Sequence, residues 1–228
     1  MATLWEYLWS GTATTMAYYK LNGNSTDSSW NANNGVDTSM TYADALFWQW
    51  WSFNNTAKYI TIADNASLQT TTELTYAIWV KLTASTDEML FAKRVVGTIE
   101  YTCYIWWSAD FRIMQWGVAW PNFCRWDTTS FNLLANWWWH MLAFSHTFWA
   151  STSIAYVDWL PVTLTWTNQT AAAATPDWTR SLYIGKNWSA ATSYVNWLMD
   201  SIIFEKRAWT AQQILKYYSF AKWRYATL

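Results

Sequence analysis

Tyr101, Tyr104, Arg112 and Gln115 fall on two β-prone stretches, Thr98–Ile105 and Phe111–Gln115, that lead into a loop holding Trp120 and Asn122. Planar rings beside amide and guanidinium donors are what a sugar site is made of. The ring packs on the apolar face of the sugar and the donors take its hydroxyls. These six residues form a candidate ligand-binding set, with the alternative that alternate members simply face a core. Cleaving a glycosidic bond needs something else, two carboxyls about 5–5.5 Å apart for retention or wider for inversion. Asp87 and Glu88 are adjacent and point to opposite faces of a strand, while Glu73, Glu100 and Asp110 stand alone. No catalytic residue is assigned, and the chain is expected not to be an enzyme. His140 and His146 share one side of a strand by their even spacing. A zinc pair is conceivable there, but no third ligand is in view, so packing and hydrogen bonding are the expected roles.

Composition narrows the partners. The 228 residues carry 13% charged side chains and a formal net charge of −1, which gives no electrostatic basis for binding nucleic acid. No stretch approaches the roughly 20 apolar residues needed to cross a bilayer. Met1–Thr15 lacks the basic start and apolar centre of a signal peptide. Cys103 and Cys124 fit no metal spacing and are expected as two buried thiols, with a bridge left open. The abnormal feature is 23 Trp against 6 Gly. An average chain has about 7% Gly, which would be roughly 16 here. Turn-rich β structure needs glycine for positive φ.

The elements that position these residues read as strands. Ten stretches rich in β-branched and aromatic residues stand between Asn/Asp/Ser/Thr clusters: Ala17–Leu21, Lys58–Ile62, Leu74–Leu82, Met89–Lys93, Thr98–Ile105, Phe111–Gln115, His140–Phe148, Ser153–Val157, Ser181–Ile184 and Leu198–Glu205. In Leu74–Leu82, Tyr76, Ile78, Val80 and Leu82 alternate with Ala77, Trp79 and Lys81, the pattern of a sheet buried mainly on one side. Capping boxes at Thr3–Glu6 and Thr210–Gln213 predict short terminal helices. The organisation expected is an N-terminal extension over 1–15, one all-β two-sheet antiparallel sandwich over 16–208, and a helix over 209–228 packed on it.

Several segments, in order, resemble the laminin G-like members of the concanavalin A-like lectin/glucanase superfamily. Ala17–Gly23 followed by Asp27-Ser-Ser29 is similar to its opening strand and "D-S-S-G-N-x-N-x-G" turn, and Phe53-Asn-Asn, then Tyr59-Ile-Thr-Ile62, to its "F-N-G … Y-I-x-I" step. Thr75–Lys81 resembles "T-I-S-A-W-V-K", Trp138–Phe144 resembles "W-H-H-V-A-F", and Tyr156–Val162 resembles "Y-V-D-G-x-P-V". Asn196–Ile203 and Arg207–Ile214 resemble the closing "N-G-x-I-D-D-V-R" and "R-A-L-S-x-x-E-I".

The resemblance implies a jelly roll that binds carbohydrate or glycoprotein at a cell or particle surface, or else serves as an interaction domain among virion or surface-assembly subunits. A divergent glycan hydrolase or lyase is disfavoured, because the family's "E-x-D-x-x-E" strand is missing. It also implies a structural Ca²⁺ with hard oxygen ligands. Asp200 occupies the late-strand position, and Asp27 and Asn31 of the early turn are candidate co-ligands, unless Asp27 only caps its turn. At Trp30, Trp48, Trp159 and Trp197 the family pattern has Gly, whereas Trp79 and Trp138 fall on its tryptophans. A UGA codon meaning Gly in the source but read as Trp would give this pattern, so Trp abundance carries no weight toward sugar binding.

Overall fold

The computed structural model describes residues 14–44, 49–53, 57–70, 72–81, 88–95, 98–105, 111–115, 122–126, 138–147, 152–167, 179–186 and 198–222. The helix expected from Thr3 lies outside them. The first eight strands are β1 (Thr15–Tyr19), β2 (Gly35–Thr38), β3 (Thr41–Asp44), β4 (Gln49–Ser52), β5 (Tyr59–Ile62), β6 (Glu73–Lys81), β7 (Glu88–Val95) and β8 (Thr98–Ile105). There follow β9 (Phe111–Gln115), β10 (Asn122–Trp126), β11 (Trp139–Thr147), β12 (Thr152–Val157), β13 (Leu160–Val162), β14 (Leu164–Thr167), β15 (Leu182–Ile184) and β16 (Leu198–Glu205). An α-helix, α1 (Ala211–Lys222), closes the described chain. Two eight-stranded antiparallel sheets result. Sheet A runs β13-β12-β11-β6-β16-β4-β3 with β1 also on β16, and sheet B runs β14-β10-β9-β8-β7-β15-β5-β2. The all-β two-sheet jelly roll expected from the sequence is the fold found.

The sheets face each other across one core. Tyr76, Ile78 and Val80 of β6 meet Leu90 and Phe91 of β7, Ile60 and Ile62 of β5, and Ile202 and Phe204 of β16. Phe91 stands edge-on to Tyr76 at 4.8 Å and to Phe204 at 5.0 Å, the geometry that sets positive ring edges on negative ring faces. The other face of β6 is covered too, which corrects the reading of a one-sided strand. Ala77 and Trp79 form a second buried cluster with Trp139, Met141, Tyr156, Trp209 and the helix residues Ile214, Tyr217 and Ala221. Trp79 stacks on Tyr218 of α1 at 5.6 Å. The helix starts as the capping box requires: the Thr210 N–H donates to Gln213 Oε1 at 2.9 Å, and the Gln213 N–H returns to Thr210 Oγ1 at 3.3 Å.

The two histidines are structural. Six residues apart on β11, they sit roughly 20 Å from each other, far beyond a shared zinc. His140 Nδ1 meets Asp158 Oδ2 at 2.8 Å, and His146 Nδ1 meets Ser153 Oγ at 2.7 Å while its ring stacks on Phe144. Burial pushes His146 down from 6.5 to about 4, against a backbone hydrogen bond with Thr152 that acts the other way. Between those values only the unfolded chain takes up the proton. The stability involved is therefore complete above pH 6.5 and is lost as pH falls toward 4. Melting temperature should drop across that window, and His146→Gln should flatten the drop; an unchanged slope contradicts the assignment.

Cys103 is a buried free thiol, pushed up to about 12 by burial, with a hydrogen bond involving Tyr76 opposing that shift. Ile113 is the register partner of both Cys103 and Cys124, so two strand spacings, roughly 10 Å, separate their backbones. That exceeds the reach of a disulfide.

Candidate functional site

The Asp27–Gly35 turn is a latch. Asp27 Oδ1 accepts the N–H groups of Tyr18 at 2.9 Å and Ser29 at 2.8 Å, and Oδ2 accepts Ser29 Oγ–H at 2.7 Å and the Asn33 N–H at 2.9 Å. Asn33 Nδ2 donates to Met16 O and Ser67 Oγ, and Asn31 Nδ2 donates to Thr15 O and Met16 O. Gly35 closes the motif because a Cβ there would lie 2.4 Å from Ile60 Cγ2. The motif thus fastens β1 to the start of β2.

These residues do not fit the calcium expected of them. All the lone-pair directions of Asp27 are used by protein donors, whereas Ca²⁺ needs six to eight free oxygen ligands. Asp200 is buried in β16 at the register position opposite Trp79, and its Oδ1 accepts the Ser201 N–H at 2.6 Å. Among the described residues no three His, Cys, Asp or Glu side chains gather where a metal ion could be held.

The strands expected to hold a ligand are neighbours in sheet B, but their candidates divide. Gln115 is the register partner of both Tyr101 and Asn122, while Arg112 is the partner of Tyr104 and Arg125. Tyr101 and Tyr104 are three positions apart and so have opposite parity. Tyr101 belongs to the core: it is 1% exposed and its hydroxyl donates to Leu68 O at 3.0 Å. It is withdrawn from the site. Trp120 lies outside the described residues.

One carboxylate pair does exist. Lys93 Nζ, fully buried, pairs with Asp64 at 2.9 Å and with Glu100. Two acids on one ammonium are close enough for glycosidase geometry, but Lys93 and Glu100 are sealed from solvent and neutralised by each other. They lock the end of the sandwich. Burial first, then the charges of Glu100, Tyr19 and Asp64, push the adjacent Tyr101 well up.

The arrangement open to a ligand lies on the outer face of sheet B. Ile60, Ile62, Leu182 and Ile184 point into the core, so Tyr59, Thr61 and Tyr183 take the outer side of β5 and β15. Tyr59 and Tyr183 are half-buried, edge-to-face at 6.4 Å. Lys186 Nζ stands 3.9 Å from the Tyr59 ring centre and 5.1 Å from that of Tyr183. Exposed Val36 is the register partner of Thr61 on the neighbouring strand. The group was readable in the alternation of Tyr59-Ile-Thr-Ile62.

A family model described as the concanavalin A-like lectin/glucanases superfamily, of laminin G type, matches residues 53–215. The chain belongs to this superfamily. No curated protein matches this concanavalin A-like chain. Among solved structures it is similar to the binding domain of paraclostridial mosquitocidal protein 1, with TM-score 0.73, 10% identity, and coverage of 91% of this chain and 52% of that one. It is also similar to domain 4 of AbnA, an extracellular GH43 arabinanase of Geobacillus stearothermophilus in complex with arabinotriose. There the TM-score is 0.63 with 17% identity, covering 89% of this chain and 97% of that one. A third is the binding domain of botulinum neurotoxin DC in complex with rat synaptotagmin II, with TM-score 0.67, 6% identity, and 91% and 51% coverage. The chain spans about half the length of these toxin binding domains. At such identities the likeness establishes the fold.

Proposed function

We propose that this domain is a non-catalytic carbohydrate- or glycoprotein-binding module acting at a cell or particle surface, through the outer face of sheet B. The observation that carries the reading is the pair Tyr59 and Tyr183, half-buried side by side under the Lys186 ammonium. Half-buried rings hold their orientation and lose little entropy on binding. The flexible Lys186 ammonium over the Tyr59 ring can yield that face to a sugar while turning to one of its oxygens. Lys186 has no carboxylate partner among the described residues, so acidic sugars belong among the ligands tested. The likeness to an arabinotriose-bound domain of almost equal length supports the same class. Lys93 and Glu100, locked in their buried ion pair, favour binding over hydrolysis.

A second reading, an interaction domain of a virion or surface assembly, has one observation on its side: Ile154 and Leu160 are exposed on the β12–β13 hairpin at the edge of sheet A. An array of neutral and acidic glycans separates the two. Saturable binding to a related set of glycans, with no release of reducing ends, is the expected result. A flat array selects the second reading, and turnover of a polysaccharide overturns both.

A further inference from the structure

Six tryptophans among the described residues fall into two environments that differ in burial and, at one position, in backbone. Trp79, Trp139 and Trp209 are buried together beneath α1, where an indole fills space against Met141, Tyr217 and Tyr218. Trp30, Trp138 and Trp159 are 78%, 63% and 41% exposed, the first and last within turns and Trp138 in the bend before β11. Trp159 is decisive. Val157 pairs with Leu160, leaving Asp158-Trp159 as a two-residue hairpin loop with φ of 55° and 138°. Such loops need positive φ at both positions, and Asp-Gly is a preferred sequence for them. Leu21, Ala32 and Ser39 also have positive φ, of 51–52°, but inside the left-handed basin near +57°. Trp159 is far outside it, where a Cβ is hardly tolerated.

Trp138 and Trp139 correct the sequence-based alignment by one position. Trp139-His-Met-Leu-Ala-Phe144 matches "W-H-H-V-A-F" letter for letter in spacing, and Trp139 is the buried residue that opens β11. Trp138 then precedes the motif, exposed, and is not the family's tryptophan.

We infer that Trp30, Trp138 and Trp159 stand where the natural protein carries glycine, their codon UGA being a glycine codon in the source, while Trp79, Trp139 and Trp209 are genuine tryptophans encoded by UGG. The exposed indoles at these three positions are then absent from the natural surface. Two measurements test this. The coding DNA should read UGA at 30, 138 and 159 and UGG at 79, 139 and 209; UGG at 159, or UGA at 79, 139 or 209, overturns the inference. In the chain as written, Trp159→Gly should raise the melting temperature by roughly 3–10 °C, through removal of backbone strain at a solvent-exposed side chain. A lower melting temperature for Trp159→Gly would show that the indole is needed and would also overturn it.

Discussion

Lys93→Met is expected to destabilise the domain by about 3–5 kcal/mol. The ammonium lies wholly inside the protein and is shared by Asp64 and Glu100, whose side chains are 21% and 2% exposed. A methionine fills the same channel with no charge. Glu100 is then left buried without its cation, and the desolvation cost of that carboxylate appears as lost stability. Removing the two negative charges as well should restore part of the loss, because a buried cluster stripped of all its charges is tolerated better than one left with an unpaired carboxylate. Urea unfolding of Lys93→Met and of the triple variant Lys93→Met, Asp64→Asn, Glu100→Gln checks both points. A loss of less than about 1 kcal/mol for Lys93→Met, the size typical of surface pairs, contradicts the role assigned.

Gly185→Ala should be nearly as damaging. Gly185 has φ of +81°, and a Cβ built there lies 2.1 Å from Cε1 of the buried Phe53. Its N–H also donates to Leu90 O at 2.8 Å, which ties the end of β15 to β7. The methyl meets two penalties together: a backbone basin that disfavours side chains, and an overlap that only a shift of Phe53 can relieve. Together they are expected to cost about 2–5 kcal/mol, or a fall in melting temperature of roughly 10 °C. Phe53→Leu, by opening space at the ring, should recover part of that loss in the double variant. A Gly185→Ala protein that melts with the parent contradicts the account.

The fold was written in the longer strands. β6, β8, β9 and β16 are where their runs of β-branched and aromatic residues put them, within a residue or none. The strands that escaped notice are short ones. Gly35–Thr38 offers a single apolar residue and Leu160–Val162 contains Pro161, which is tolerated because β13 is an edge strand. What the helix would cover was not visible in β6 itself, since Trp79 reads as an outward residue until α1 is laid over it. The site was less readable. Tyr101 looked like a ligand donor because strand parity does not say which face is the core. Asp27 looked like a metal ligand because carboxylate and amide oxygens serve calcium and turn N–H groups equally well, and only the donors of Tyr18, Ser29 and Asn33 decide between them. The Lys93 knot joins residues 29 and 7 positions apart with no shared motif, so pattern alone could not find it.

The central claim is that sugar is held on the outer face of sheet B by Tyr59 and Tyr183. Titration calorimetry of the best array glycan against the parent, Tyr59→Ala and Tyr183→Ala tests it most directly, with melting curves to establish that each variant is folded. Loss of a stacked ring is worth about 1.4 kcal/mol, so each substitution should weaken binding about tenfold. Folded variants that bind as tightly as the parent would contradict the account and move the site elsewhere on the domain.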